Sequence, residues 1–167
     1  GDRIPDDTDV VYLGCGPISP HAEELSANCC MKQALRSFAA GGGGVYAECA
    51  GLAYLCEHVV LESGAVYPMS GVFPAVACRN AAAGQPRPVE LPFTQACWMG
   101  TAPTRLRGYC NDAWRIQPVG PLSSDAGGRF WNCQQVIGSR VHLDFAAQPQ
   151  LLDRFFHPLR SPLGAIR

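Results

Sequence analysis

Gly43-Gly44-Val45-Tyr46-Ala47-Glu48-Cys49-Ala50-Gly51-Leu52 decides the fold. Val45 to Glu48 reads as a short strand, and directly after it the pattern changes. Leu52, Leu55, Cys56 and Val59 recur at helical spacing. A strand, a sharp turn at Cys49 and then a helix is the shape of a nucleophile elbow, which lifts one side chain clear of the end of a sheet. That position is also a helix N-terminus, where unpaired N–H groups and the helix dipole favour a thiolate. Gly51 lets the backbone turn tightly. The Ala50 N–H, next after the nucleophile, is a candidate oxyanion donor. The glycines at Gly41–Gly44 come before a strand, whereas a phosphate loop comes before a helix, so they read as a plain connection.

Upstream, Asp9–Leu13 reads as a buried strand running into the loop Gly14-Cys15-Gly16-Pro17. Ser19-Pro20 reads as a helix start, and Ala27, Met31, Ala34, Leu35 and Phe38 keep helical spacing up to Gly41. Two strand–helix units imply parallel neighbours with their C-terminal ends on one side. Gly16 therefore becomes the candidate for a second oxyanion donor. Downstream, Ala65–Phe73 holds one or two strands, and Arg79–Leu91, rich in Ala, Gly and Pro, reads as a loop. Short strands are expected near Phe93–Trp98, Arg105–Tyr109, Ala113–Gln117 and Arg129–Asn132, and one more from Val136 to Phe145. Gln148-Pro149 opens a last helix. The pattern as a whole gives α/β layers around a mixed sheet.

A cysteine nucleophile needs a base. Of the four histidines, His142 lies toward the end of a strand with Asp144 two residues on, on the same face if the strand continues. Asp144 is then a candidate to orient the imidazole, as the acid of a triad does. A buried histidine paired with a carboxylate for structure alone is the competing reading. His21, His58 and His157 read as capping or surface residues.

The chain has 167 residues, one domain's worth. With 47% hydrophobic and 16% charged residues it is not a disordered sequence. A net charge of -1 gives no reason to expect a nucleic-acid partner. No apolar run is long enough to span a membrane, and Gly1–Asp9 has no signal-like core. Nine cysteines without a C-x-x-C pair argue against a zinc knuckle. They read mostly as small buried hydrophobes in a reducing, cytoplasmic setting.

The decisive stretch resembles the nucleophile segment of the glutamine amidotransferase domain of cobyrinic acid a,c-diamide synthases. Asp9–Gly16 followed by His21-Ala22-Glu23-Glu24-Leu25-Ser26-Ala27-Asn28 resembles the strand, glycine turn and helix that open that domain. Val141-His142-Leu143-Asp144-Phe145-Ala146 resembles its histidine strand. The resemblance implies a class I glutamine amidotransferase fold. This is a flavodoxin-like, three-layer α/β architecture with a mixed, mostly parallel central sheet. The whole chain, 1–167, would be one glutaminase domain, the C-terminal part of a longer synthase. Cys49 would attack the glutamine side-chain amide, and His142 would move the proton. The released ammonia would reach a separate ATP-binding synthetase domain, which would use ATP and magnesium to activate acetate side chains of a tetrapyrrole. No cofactor is expected in this chain, and no G-x-x-x-x-G-K-[ST] occurs in it.

Two departures stand out. The turn usually reads Pro-Gly-Gly-Tyr-Pro-Glu and here reads Gly14-Cys15-Gly16-Pro17-Ile18-Ser19. A segment usually reading Arg-Gly-His-Glu-Phe-His appears as Arg107-Gly108-Tyr109-Cys110-Asn111-Asp112. The second departure leaves siroheme or another tetrapyrrole as an alternative acceptor. A different Cys hydrolase and a non-catalytic scaffold domain are the remaining alternatives.

Overall fold

In the computed structural model, which describes residues 3–93, 98–99, 104–125 and 127–156, β1 (Val10–Leu13) and β2 (Gly44–Glu48) lie side by side and parallel. Strand β2 is central. Its other neighbour is β11 (Val136–Ser139), also parallel, followed by the antiparallel β10 (Phe130–Cys133) and β9 (Ser123–Ser124). The fold is α/β with mixed sheets. The middle of the chain forms two further sheets: β4 (Val66–Pro68), β3 (Cys56–Val60), β5 (Phe73–Arg79) and β8 (Trp114–Pro118) in one, and β12 (Val141–Leu143), β7 (Thr104–Cys110) and β6 (Arg87–Phe93) in the other.

Alternation along β2 divides the core. Val45 and Ala47 point into one apolar cluster with Leu52, Leu55 and Phe73, while Tyr46 points into a second with Phe130, Ile137 and Leu143. Glu48 follows Tyr46 at the two-residue spacing and is carried onto that second side, where it is fully buried.

Several local readings are corrected. The expected first long helix is broken at Asn28 into α1 (Ala22–Ala27) and α2 (Cys29–Ala40), because Asn28 Oδ1 accepts the Met31 N–H at 3.1 Å and caps a new helix. Ser19–His21 is a single 3-10 turn ahead of α1. The helix after Cys49, α3 (Ala50–Leu55), ends before Cys56, and His58 and Val59 lie in β3, not near a helix end. The β-branched pair Val59-Val60 is held there by ladders to β4 and β5. Arg87–Phe93 is a strand despite Pro88 and Pro92, which an edge position in the sheet permits. The last helix, α4 (Pro149–Phe156), starts where expected. His157 and most of Phe93–Trp98 lie outside the described residues.

The expected strand Val136–Phe145 breaks at Arg140. Its first part stays in the central sheet and its second, β12, pairs antiparallel with β7. Ser139 makes the break possible. Its Oγ donates to the Val141 carbonyl at 2.7 Å and accepts the Val141 N–H at 2.9 Å. Gly108 lets β7 approach, because a Cβ there would lie 2.2 Å from the His142 carbonyl oxygen.

Candidate active site

Cys49 sits between β2 and α3 with φ 50 and ψ -103, a left-handed conformation that a side-chain-bearing residue rarely adopts. Its N–H donates to the Ser139 carbonyl at 2.7 Å and its carbonyl accepts the Ala53 N–H at 3.2 Å, so the neighbouring strand β11 and the following helix α3 fix the turn. Gly51 is required by close packing, since a Cβ would stand 2.3 Å from the Leu13 carbonyl oxygen. The end of β1 and the start of α3 thereby come together, and the Gly14–Pro17 loop lies against Cys49.

The thiol reaches the Arg140 carbonyl at 3.9 Å, and the Cys15 thiol is its strongest electrostatic neighbour. Cys15 Sγ in turn lies 3.8 Å from His142 Nδ1. His142 Nδ1 is 2.5 Å from Glu48 Oε2. Cys15, His142 and Glu48 form a contact series beside Cys49. A carboxylate only accepts, so the short contact places the imidazole proton on Nδ1.

The carboxylate beside His142 is Glu48, and the expectation that Asp144 lies there is corrected. Strand β12 ends at Leu143, so the alternation that would have put Asp144 beside His142 stops one residue short. Asp144 is exposed and its Oδ1 accepts the Ala147 N–H at 3.2 Å. Glu48 also accepts from Tyr12 Oη at 3.0 Å, Tyr46 Oη at 2.8 Å and the Leu143 N–H at 2.9 Å. Four donors compensate the burial of one charge. The signal for it in the sequence is a lone acid ending an apolar strand, next to the nucleophile.

Charge is distributed accordingly. Cys15 is held down to about 7, first by the hydrogen bond with Cys49 and further by His142, against burial and the Glu48 charge. Cys49 is pushed well up by that same hydrogen bond, by burial and by the nearby negative charges. Partial burial pulls the His142 pKa down, but Glu48 and Cys15 outweigh it and the net shift is upward.

The oxyanion expectation divides. Ala50 is the first residue of α3, so its N–H has no intrahelical partner and stands beside the thiol. Gly16 is corrected: its N–H donates to the Gly14 carbonyl at 3.1 Å, closing the loop on itself.

A cleft of about 400 Å³ opens beside the thiols, lined among others by Cys15, Cys49, Ala50, Arg79, Asn111 and Trp114. Arg79 is its cation, tied to the Ala113 carbonyl at 2.9 Å and to Glu62 at 3.5 Å, with its guanidinium over the Trp114 ring. A larger hollow of about 600 Å³ shares Gly16, Pro17, Ile18 and Ala50 with it and also meets Gly51, but not the thiols. The altered segment Arg107–Asp112 contributes Tyr109, paired across from His142, and Asn111 at the cleft wall.

Cys15 Sγ, a Glu48 oxygen and a His142 nitrogen lie within 4.8 Å of one another, donor types that zinc accepts. The separation of 2.5 Å between Glu48 and His142 does not fit a metal. Two ligands at zinc bond lengths of about 2.0–2.1 Å and a tetrahedral angle stand roughly 3.3 Å apart. The pair is spaced to share a proton.

A model of the CobB/CobQ-like glutamine amidotransferase domain matches residues 1–90. The chain belongs to that family. A cobyrinate a,c-diamide synthase of Syntrophotalea carbinolica is 35% identical over 163 residues, covering 89% of this chain and 35% of that protein. A hydrogenobyrinate a,c-diamide synthase of Streptomyces coelicolor is 30% identical over 173 residues, covering 96% of this chain and 33% of that protein. The amidotransferase chain thus spans about a third of the length of these curated relatives. Among solved structures, a glutamine amidotransferase superposes with a TM-score of 0.64 at 18% identity, covering 91% of this chain and 79% of that one, a likeness of fold. No helix among the described residues is long and apolar enough to cross a membrane.

Proposed function

We propose that this domain hydrolyses glutamine through a cysteinyl thioester and supplies ammonia for amidating acetate side chains of a tetrapyrrole; relatives named cobyrinate and hydrogenobyrinate a,c-diamide synthase support the acceptor class. The observation that carries the reading is a thiol at a strained strand–helix turn, linked to a histidine whose ring is fixed by a buried glutamate, beside a cleft of amino-acid size. Glutamine lies in that cleft with its α-carboxylate toward Arg79 and its amide at Cys49. As the Cys49 sulfur attacks the amide carbon, the thiol proton passes to His142 Nε2, the ring nitrogen that the Nδ1–Glu48 bond leaves free. The oxyanion that forms is met by the Ala50 N–H. His142 then protonates the departing ammonia, and water hydrolyses the thioester to glutamate and free thiol. Glu48 is a positioning residue that keeps the imidazole in one tautomer throughout.

The ammonia is consumed by a synthetase partner, on the same longer chain or separate, which binds ATP and magnesium and activates the tetrapyrrole carboxylate. A diazo-ketone analogue of glutamine tests the reading. Incubation followed by intact mass and peptide mapping is expected to give one adduct, on Cys49, blocked by excess glutamine. Failure to label Cys49 both alone and with the synthetase partner present would refute it.

A further inference from the structure

Cys15 is a second thiol inside the site, at a position where the family's turn carries glycine. It is exposed and lines the same cleft as Cys49, with its sulfur 3.8 Å from His142 Nδ1. The described cysteines are all free thiols. A disulfide needs the sulfurs to close to about 2.05 Å, with one backbone able to give. Cys49 is fixed by β2 and α3, whereas Cys15 stands between Gly14 and Gly16 in a loop. Around Gly16 there is open space, since a Cβ there would meet nothing within 4 Å.

We propose that Cys15 and Cys49 are a peroxide-reactive pair that closes to a disulfide and blocks the nucleophile until a dithiol reduces it. The Cys15 thiolate attacks one peroxide oxygen. The O–O bond breaks, hydroxide leaves and takes up a proton, and Cys15 becomes a sulfenic acid. Cys49 gives up its proton as its sulfur attacks the Cys15 sulfur. The S–O bond breaks and a second water leaves. Two thiols and one hydrogen peroxide give one disulfide and two waters. Reduction by a dithiol such as dithiothreitol or a thioredoxin-type protein returns both thiols. The acid-shifted Cys15 supports the first step, since a thiolate is the reactive form and about 7 leaves it well populated at neutral pH. The geometry also protects Cys49, because an oxidised Cys15 is captured as a disulfide before over-oxidation.

Loss of glutamine turnover on oxidation rests on the glutaminase reading, but the disulfide does not. The 167-residue chain is treated with hydrogen peroxide, free thiols are blocked, and the protein is weighed and mapped. The expected result is a loss of two hydrogen atoms from the intact mass, a linked Cys15–Cys49 peptide pair, and full reversal by dithiothreitol. The Cys15→Ala variant is expected to go instead to sulfinic or sulfonic acid on Cys49, which dithiothreitol does not reverse. Over-oxidised Cys49 in the unaltered chain, or a bond joining other cysteines, would overturn the proposal. A reversible Cys15–Cys49 bond in a chain that never labels with the glutamine analogue would uphold the disulfide and remove the glutaminase.

Discussion

Replacing Glu48 by glutamine is the sharpest perturbation available, because it keeps the shape and removes the charge. Oε1 accepts the Leu143 N–H and the Tyr46 hydroxyl, and Oε2 accepts the Tyr12 hydroxyl and His142 Nδ1. A glutamine has one oxygen for these two places. The Leu143 N–H cannot turn away, so the amide oxygen goes to that side and the NH2 faces Tyr12 and His142. A hydroxyl can rotate and accept; the imidazole can accept at Nδ1 only by moving its proton to Nε2, the wrong tautomer for a base. In serine-protease triads the same exchange of acid for amide costs about 10⁴-fold. The expected loss for Glu48→Gln is about 10³–10⁴-fold in the rate of Cys49 labelling by the diazo-ketone analogue. The lost charge-assisted bonds should cost about 1.5–3 kcal/mol of stability. The assay is labelling rate by mass spectrometry, with thermal unfolding in parallel and histidine 15N shifts to read the tautomer. A variant that folds, keeps the Nδ1–H tautomer and labels at the original rate would refute the role of Glu48.

Other expectations are more local. Gly51→Ala pushes a methyl group to 2.3 Å from the Leu13 carbonyl oxygen and should cost about 1–3 kcal/mol, read as a lowered Tm; an unchanged Tm would mean that α3 and β1 are free to separate. Cys15 alkylation by iodoacetamide, followed by peptide mapping, should show a midpoint near pH 7 and fall away below it, whereas a midpoint in the ordinary thiol range would remove the thiolate from Cys15. His142 gains its proton more readily when folded, so its pairing with Glu48 stabilises the fold below the ordinary imidazole range. That contribution is lost as pH rises through the raised value. The unfolding free energy of the native chain relative to His142→Ala should therefore fall as pH rises through neutrality, and a flat difference would refute the ion pair.

The strand–turn–helix around Cys49 was readable from sequence because it rests on local rules. A strand, a residue at the turn and a helix follow one another without a gap, and Gly51 marks the close approach. The acid was not readable in the same way. The two-residue spacing from His142 to Asp144 assumes a strand that continues, and whether it does is decided by Ser139 and Arg140, where the chain leaves one sheet for another. Glu48 meets His142 across 94 positions of sequence, a pairing fixed by the tertiary fold. The Cys56–Val60 strand was misread for a related reason. Its apolar residues suit either a helix or a strand, and the ladder to the distant β5 decides between them. Arg79–Leu91 was read as a loop from its Ala, Gly and Pro content, yet from Arg87 on it lies in β6, whose prolines only an edge position excuses.

The backbone at Cys49 has an evolutionary implication. A side-chain-bearing residue at φ 50 holds its place at a cost of about 1–3 kcal/mol, and every replacement but glycine inherits the burden. Cys49→Gly should therefore raise the Tm while ending all labelling at that position. Selection for folding alone would drift this position toward glycine. A cysteine at this position therefore carries a backbone strain that architecture alone does not require.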